Sequence, residues 1–321
     1  MSLVQGVVRR ITDSVSTVIV GKESAVELCV LALLCGGHVL IEDVPGVGKT
    51  MLAKAMARAT GCDFERLQFT PDLLPGDVTG VSVFSPKTTE FEFRRGPIFA
   101  QVLLADEINR ATPKTQSALL EAMEEGQVTV DGETHPLPTP FIVLATQNPI
   151  ELGGTYPLPE AQVDRFLVKV SLGYLPLAGE IAMLDRFQRD SPLDQVTAVT
   201  DAAEIAACRD QLQSIWCHSS LKEYCVRIVQ RTRDHSDVAL GASPRGSLGL
   251  LHAAQARAAS QGREFVTPDD IKHLARHVLG HRIILRANAE LRGVTTAQVI
   301  DEVLSAEPVP AERLSVAGEA K

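Results

Sequence analysis

Through the first half of the chain, short apolar runs that end in charge or turn residues alternate with stretches whose apolar positions recur every three or four residues. The runs are HVLIED (38–43), FERLQF (64–69), QVLLAD (101–106), FIVLAT (141–146) and FLVKV (166–170). VLLA shows no polar alternation, as expected of a strand covered on both faces. Helical patterns occupy 50–60 and 114–124 between the runs. Strand and helix in alternation predict an α/β fold, a mostly parallel sheet with helices on both faces. Two stretches break the rhythm. VSVFSPKTTEFEFRRG (81–96) alternates at period two around a polar turn, and QVTVDGETHPL (127–137) carries Asp131-Gly132, a strong hairpin signal. Both are expected to be inserted β-hairpins.

The pattern changes after SLGYLP (171–176). From 179 to 306 nearly every segment has helical spacing, with start signals at Ser243-Pro244 and at Thr267-Pro268-Asp269-Asp270. The expected division is an α/β domain over 1–175, an all-α domain over 176–306 and a flexible tail over 307–321. No internal repeat is evident.

Composition narrows the function. The 321 residues carry a net charge of −9, which disfavours a chain built to hold nucleic acid. The most apolar stretch, VELCVLALLCGGHVLIED, is interrupted by Gly36, Gly37 and His38 and is flanked by acids, so no membrane insertion is expected. No signal peptide is apparent. The six cysteines form no C-x-x-C pair and are expected to be buried free thiols; Cys217-His218 is a conceivable metal pair without a second pair to complete it. These features suggest a reduced, cytoplasmic protein.

Chemistry concentrates first in IEDVPGVGKT (41–50). The phosphate-loop pattern G-x-x-x-x-G-K-[ST] has Asp43 in place of its first glycine. The binding stretch runs from Pro45 through Gly46, Val47, Gly48, Lys49 and Thr50 to Met51. Gly46 and Gly48 let backbone N–H groups turn toward phosphate. Lys49 reaches the outer phosphates, and Thr50 offers a hydroxyl to Mg²⁺ at a helix start. A carboxylate at Asp43 would repel a triphosphate, so its side chain is expected to point away. A Gly-rich turn with a capping threonine is the plain alternative, disfavoured by the strand before it and the helix after it. VLLADEINR supplies a second half: Asp106 for the Mg²⁺ shell, through water, and Glu107 to activate water against the γ-phosphate. A strand-end Asp-Glu alone is usually a polar turn; the upstream loop reverses that judgement.

LQFTPDLLPGDVTG, GPIFAQVLLADEINRATPKTQSALLEAMEEGQVTVDGETHPLP, ATQNPIELGGTYPLPEAQVDRFL and GASPRGSLGLLHAAQA together resemble MoxR-type AAA+ ATPases over about residues 15–285. The resemblance implies an α/β core with a helical lid, hexameric rings with ATP between subunits, and chaperone-like work on other complexes, including metal-cofactor insertion. It also implies partners with von Willebrand factor A domains. Asn148 resembles the polar sensor that orients the attacking water, Arg165 the arginine finger that reaches a neighbour's γ-phosphate, and Arg245 the lid sensor of the γ-phosphate. Val20-Gly21 matches the segment that packs on adenine. Read without the resemblance, Asn148 is equally a turn residue, Arg165 equally a surface ion pair with Asp164 or Glu160, and Gly21 a helix boundary. The hairpins resemble the family's helix-two insert and pre-sensor hairpin, with Arg94 and Arg95 either contact residues or a solvated basic corner.

The expectation is a Mg²⁺-dependent ATPase that converts ATP to ADP and remodels or assembles a partner. The competing readings are a nucleotide-switched binding module with little turnover, the ATPase subunit of a metal chelatase, and a nucleic-acid motor.

Overall fold

The computed structural model describes residues 2–148, 154–188 and 191–310. Two helices lead the chain, α1 (Leu3–Ser16) and α2 (Glu23–Leu34). Ser2 caps α1 through a hydrogen bond from Gln5 N, and its buried positions Val4, Val7, Val8, Ile11 and Val15 form one stripe. α2 is apolar nearly all round and buried nearly all round. The remainder of the first part is β1 (Val39–Glu42), α3 (Lys49–Thr60), β2 (Phe64–Gln68), α4 (Pro75–Thr79), β3 (Gly80–Ser85), β4 (Glu90–Arg95), β5 (Val102–Asp106), α5 (Pro113–Glu125), β6 (Gln127–Val130), β7 (Glu133–Pro136), β8 (Ile142–Gln147), α6 (Glu160–Val163) and β9 (Val168–Val170).

The five-stranded sheet has the order β2-β5-β8-β1-β9, and every pairing in it is parallel. Successive side chains of a strand face opposite ways, which sorts the core into two halves. Val39, Ile41, Val102, Leu104, Ile142 and Leu144 join the side containing α1, α2 and α3. Leu40, Leu103, Ala105, Val143 and Ala145 join the side containing α5. The two expected hairpins are β3–β4 and β6–β7, and they touch where the ring of Phe93 stacks on His135 at 4.1 Å.

The second part contains α7 (Leu177–Phe187), α8 (Ala202–Gln213), α9 (Ser219–Asp234), β10 (Val238–Leu240), α10 (Pro244–Ser260), α11 (Pro268–Leu279), β11 (Ile284–Leu285), α12 (Ala287–Leu291) and α13 (Thr296–Ala306). It is helical with additions that helical periodicity gave no sign of, among them the antiparallel ribbon β10–β11. Residue 176 marks a change of architecture but not of core, because the buried side chains of α8 to α11 join the same cluster as α1 to α3. The expected tail starts at Glu307. Glu307 is buried and its carboxylate pairs with Arg231, and with Arg227 at 3.6 Å. The 311–321 stretch of that tail lies outside the described residues. Among the described residues, no helix is long and apolar enough to cross a membrane.

Candidate nucleotide site and arginine cluster

All five strands point the same way, so the sheet has an amino edge and a carboxyl edge, and a crevice outside the carboxyl edge is where such sheets bind ligands. The loop between β1 and α3 lies at that edge. Glu42 stands opposite Gln147, and Asp43 N donates to Gln147 O at 3.1 Å. Gly46 and Gly48 have φ of 83° and 97°, a left-handed conformation that favours glycine, and a Cβ at either would meet nothing within 4 Å. Glycine is therefore required here by backbone conformation rather than by crowding, and the concave side stays open. Gly48 is the N-cap of α3. Lys49 and Thr50 occupy its first turn, where unpaired N–H groups and the helix dipole favour an anion. Lys49 Nζ folds back to donate to Asp43 O at 2.8 Å. Val47 and Met51 pack against the core and anchor the loop, whereas Pro45 is exposed.

Asp43 is buried and points away from the loop's concave face. Its Oδ1 accepts from Val44 N at 3.0 Å. Its Oδ2 accepts from Leu172 N at 2.5 Å, Gly173 N at 2.7 Å and Ser171 Oγ at 3.1 Å. The residue that breaks the glycine pattern thus ties the phosphate loop to the turn after β9. The same turn meets the Val20-Gly21 segment. Gly21 has φ 64° and lies against Leu175, and Lys22 Nζ donates to Tyr174 O at 3.0 Å. Val20 and Gly21 are in this way connected to the carboxyl edge through Asp43.

β5 brings Asp106 and Glu107 to the same edge. Thr146 of β8 donates to Asp106 Oδ1 at 2.6 Å and accepts from Glu107 N at 2.8 Å. Arg66 of β2 holds the other Asp106 oxygen at 2.7 Å. Glu107 has φ 56°, an unusual conformation for a side-chain-bearing residue. Its Oε2 accepts from Gln68 Nε2 at 2.7 Å and lies 3.2 Å from Arg110 Nε. Asn148 follows β8 directly and is buried, one residue past the pairing that sets Glu42 opposite Gln147. Loop, Asp106, Glu107 and Asn148 are therefore brought together, and an open anion cradle beside a lysine, a hydroxyl and two carboxylates fits a magnesium nucleotide.

Arg165 and Arg245 lie elsewhere. Val168 stands opposite Val39, and Leu167 N donates to His38 O at 2.9 Å, so Arg165 precedes β9 at the amino edge. α5 runs back to the same edge, where Met123 O meets His38 Nε2 at 3.1 Å. Glu124, the next residue, receives both arginines. Arg165 Nε is 2.8 Å from its Oε2, an ion pair without hydrogen-bond alignment, and Arg245 pairs with its Oε1. At about 3.3 Å per residue, the length of β1 separates this cluster from the phosphate loop by roughly 10 Å or more. The partners expected for Arg165 from sequence, Asp164 and Glu160, give way to Glu124. Asp164 instead bridges the two parts of the chain. Its Oδ2 accepts from Ser243 Oγ, the N-cap of α10, at 2.7 Å, and its Oδ1 accepts from Arg282 Nε at 2.7 Å. Arg282 is buried and also donates to the carbonyls of Asp164, Phe166 and Leu167.

Elsewhere, Arg94 is exposed, and the Arg95 guanidinium sits over the Phe99 ring at 5.2 Å. Beside them the first hairpin exposes Phe84 and Phe91, paired edge to face. His218 caps α9, its Nδ1 accepting from Ser220 N, and so has a structural task beside Cys217. Gln68, Thr146, Glu124 and Arg282 escaped sequence reasoning, and Asp164 was named there only as an ion partner of Arg165. Thr146 stands two residues before Asn148, within ATQN, and the others are placed by strand order and by helix packing.

The profile described as "ATPase family associated with various cellular activities (AAA)" matches residues 38–168, and that of the AAA lid domain matches residues 230–303. Chaperone MoxR1 of Mycobacterium tuberculosis is 42% identical over 305 residues, 92% of this chain and 80% of that protein. Protein YeaC of Bacillus subtilis, itself uncharacterised, is 51% identical over 304 residues, 95% of each chain. A crystal structure from Cytophaga hutchinsonii whose ATPase designation is provisional superposes with a TM-score of 0.89 at 39% identity, over 96% of each chain.

Proposed function

The chain belongs to the MoxR-type AAA+ ATPases, and from that premise we propose that it hydrolyses ATP at sites shared between adjacent copies in a ring, and uses the resulting motion to remodel or assemble a partner protein. One observation carries this. The cradle, Asp106, Glu107 and Asn148 occupy the carboxyl edge of the sheet, while Arg165 and Arg245 occupy the amino edge of the same chain. A chain so built offers a nucleotide pocket at one end and cationic groups for a second pocket at the other. Head-to-tail association completes each pocket and, when it closes, gives a ring; six copies is the number the family resemblance implies.

Within such a pocket, Gly46 to Thr50 hold the phosphates of ATP. Thr50 and Asp106 are the residues that would hold Mg²⁺, whose chemistry when bound is to neutralise charge on the phosphate oxygens. Glu107 takes a proton from the attacking water, and Asn148 orients that water. The neighbour's Arg165 and Arg245 stabilise charge on the transferring phosphoryl group, a task suited to a permanently charged guanidinium. Val20-Gly21 flanks the base. Arg245, the lid sensor by resemblance, thereby serves the neighbour's nucleotide. A partner bearing a von Willebrand factor A domain belongs to the same proposal, as does metal-cofactor insertion as the work performed.

Mixing two inactive variants tests the arrangement. Lys49→Ala spoils the cradle and Arg165→Ala spoils the contributed arginine, so neither hydrolyses ATP alone. Mixed, they form pockets with an intact cradle from one chain and an intact arginine from the other, and turnover returns. Failure of the mixture to recover activity, with both variants folded and co-assembled, would sink the shared-site proposal. A specific observation also favours a second function, a nucleotide switch with low basal turnover: Glu107 is held by both Gln68 and Arg110.

A further inference from the structure

Glu124 stands at the last turn of α5, the end of a helix where backbone carbonyls make a carboxylate unfavourable. Helix stability therefore gives no reason for it. What it does in the fold is accept two arginines from distant parts of the chain, one on each carboxylate oxygen. Two guanidinium groups brought this close repel each other, and a shared anion is what lets them stand side by side. The cluster keeps one net positive charge. Its two backbones are fixed to one another as well, because Asp164, next to Arg165, accepts from the N-cap Ser243 of the helix that carries Arg245. The other end of α5 is also held: Gln116 Nε2 donates to Ile108 O at 3.2 Å and to Ala111 O at 3.1 Å, in the segment that follows Glu107.

We propose that Glu124 is a positioning residue that gathers Arg165 and Arg245 into one cationic pair, presented to the γ-phosphate of a nucleotide bound by a neighbouring copy. This rests on the shared-site function above. The carboxylate charge is the active property. Aspartate at this position keeps the charge at a shorter reach. Glutamine keeps the size, but its amide NH₂ faces one of the two guanidiniums as a second donor.

The test measures ATP turnover of the full chain at saturating ATP and protein for Glu124→Asp, Glu124→Gln, Glu124→Ala and Arg165→Ala, with the affinity of each for a fluorescent ADP analogue and its melting temperature. Misplacing a catalytic group by about 1 Å costs up to about a hundredfold. Glu124→Gln and Glu124→Ala are therefore expected to lower kcat by about ten- to a hundredfold, with ADP affinity unchanged, while Glu124→Asp recovers most of the rate. Wild-type kcat in Glu124→Gln, beside an inactive Arg165→Ala, overturns the role of Glu124 and leaves the shared site standing. An equal fall in all three Glu124 variants that tracks their melting temperatures also overturns it, as the signature of a fold contact. Full turnover in Arg165→Ala removes the shared site itself, and Glu124's role with it.

Discussion

The side-chain amide of Gln68 donates to the carboxylate of Glu107 at 2.7 Å, across the pairing of β2 with β5. The candidate general base is thus held by a neighbour that bears no charge. A hydrogen bond to a carboxylate oxygen fixes its direction. Glu107→Gln is expected to lower kcat by about a hundredfold or more while nucleotide still binds. Gln68→Ala removes one of the two contacts that hold the base, leaving Arg110, and is expected to raise the turnover of unstimulated protein by about two- to tenfold, with ADP affinity unchanged. A Gln68→Ala protein as slow as wild type would mean that this hydrogen bond does not restrain the base.

Asp43→Gly restores the usual phosphate-loop pattern, yet it is expected to harm the protein. It strips the acceptor from three backbone N–H groups, those of Val44, Leu172 and Gly173. Each buried donor left unpaired costs about 1–3 kcal/mol. With partial relaxation, a loss of about 3 kcal/mol in unfolding free energy is expected, along with weaker ATP binding. Urea denaturation and nucleotide titration of the variant check both. A glycine variant of wild-type stability with tighter binding would show that the aspartate is only tolerated.

Acid sensitivity should come in part from His38. Its Nδ1 accepts from Val143 N at 3.0 Å and its Nε2 faces Met123 O at 3.1 Å, so only a neutral ring with the proton on Nε2 satisfies both. Burial pushes its pKa down from 6.5 to about 4. Between these two values the unfolded chain binds a proton that the folded chain refuses. The contribution is complete above pH 6.5 and is lost as pH falls toward 4, amounting to about 3 kcal/mol at 1.36 kcal/mol per pKa unit. Burial and the adjacent Arg282 move His281 the same way. Unfolding free energies measured from pH 7.5 to 4.5 should fall, and a His38→Asn protein, less stable at neutral pH, should show a shallower slope. Equal slopes would exclude His38.

Glu307 gives the start of the tail a structural duty. Glu307→Ala leaves Arg231 and Arg227 without that carboxylate and should lower stability by about 1–3 kcal/mol. Thermal melts of the substituted chain check this, and a melting temperature equal to that of the wild type would show that the pairing is not needed.

Much of the fold was legible because its signals are local. All five sheet strands and both hairpins stand where apolar runs and turn residues put them: β1, β5 and β8, covered on both faces, are apolar nearly throughout, and Asp131-Gly132 suits a tight turn. The carboxyl-edge residues fall into the same category, being carried by three contiguous stretches. The ribbon β10–β11 was not legible, because its strands are two and three residues long and leave no period to detect. Asp43's true partners were hidden for another reason. They lie in the turn after β9, more than a hundred residues away, and only the pairing of β1 with β9 brings them near. Glu124 reads in sequence as one acid of an amphipathic helix, and its significance depends on where α5 ends.

The span of α5 has a consequence for timing. Thirteen residues at 1.5 Å per residue make a rod of about 20 Å. One end is fastened by Gln116 beside Glu107, and the other carries Glu124 with its two arginines. In the proposed ring, such a rod would run from the segment beside its own chain's nucleotide to the arginines offered to the next one's. Any tilt at the first would be delivered to the second as a displaced pair of charges, giving neighbouring subunits a mechanical order of firing without a separate relay.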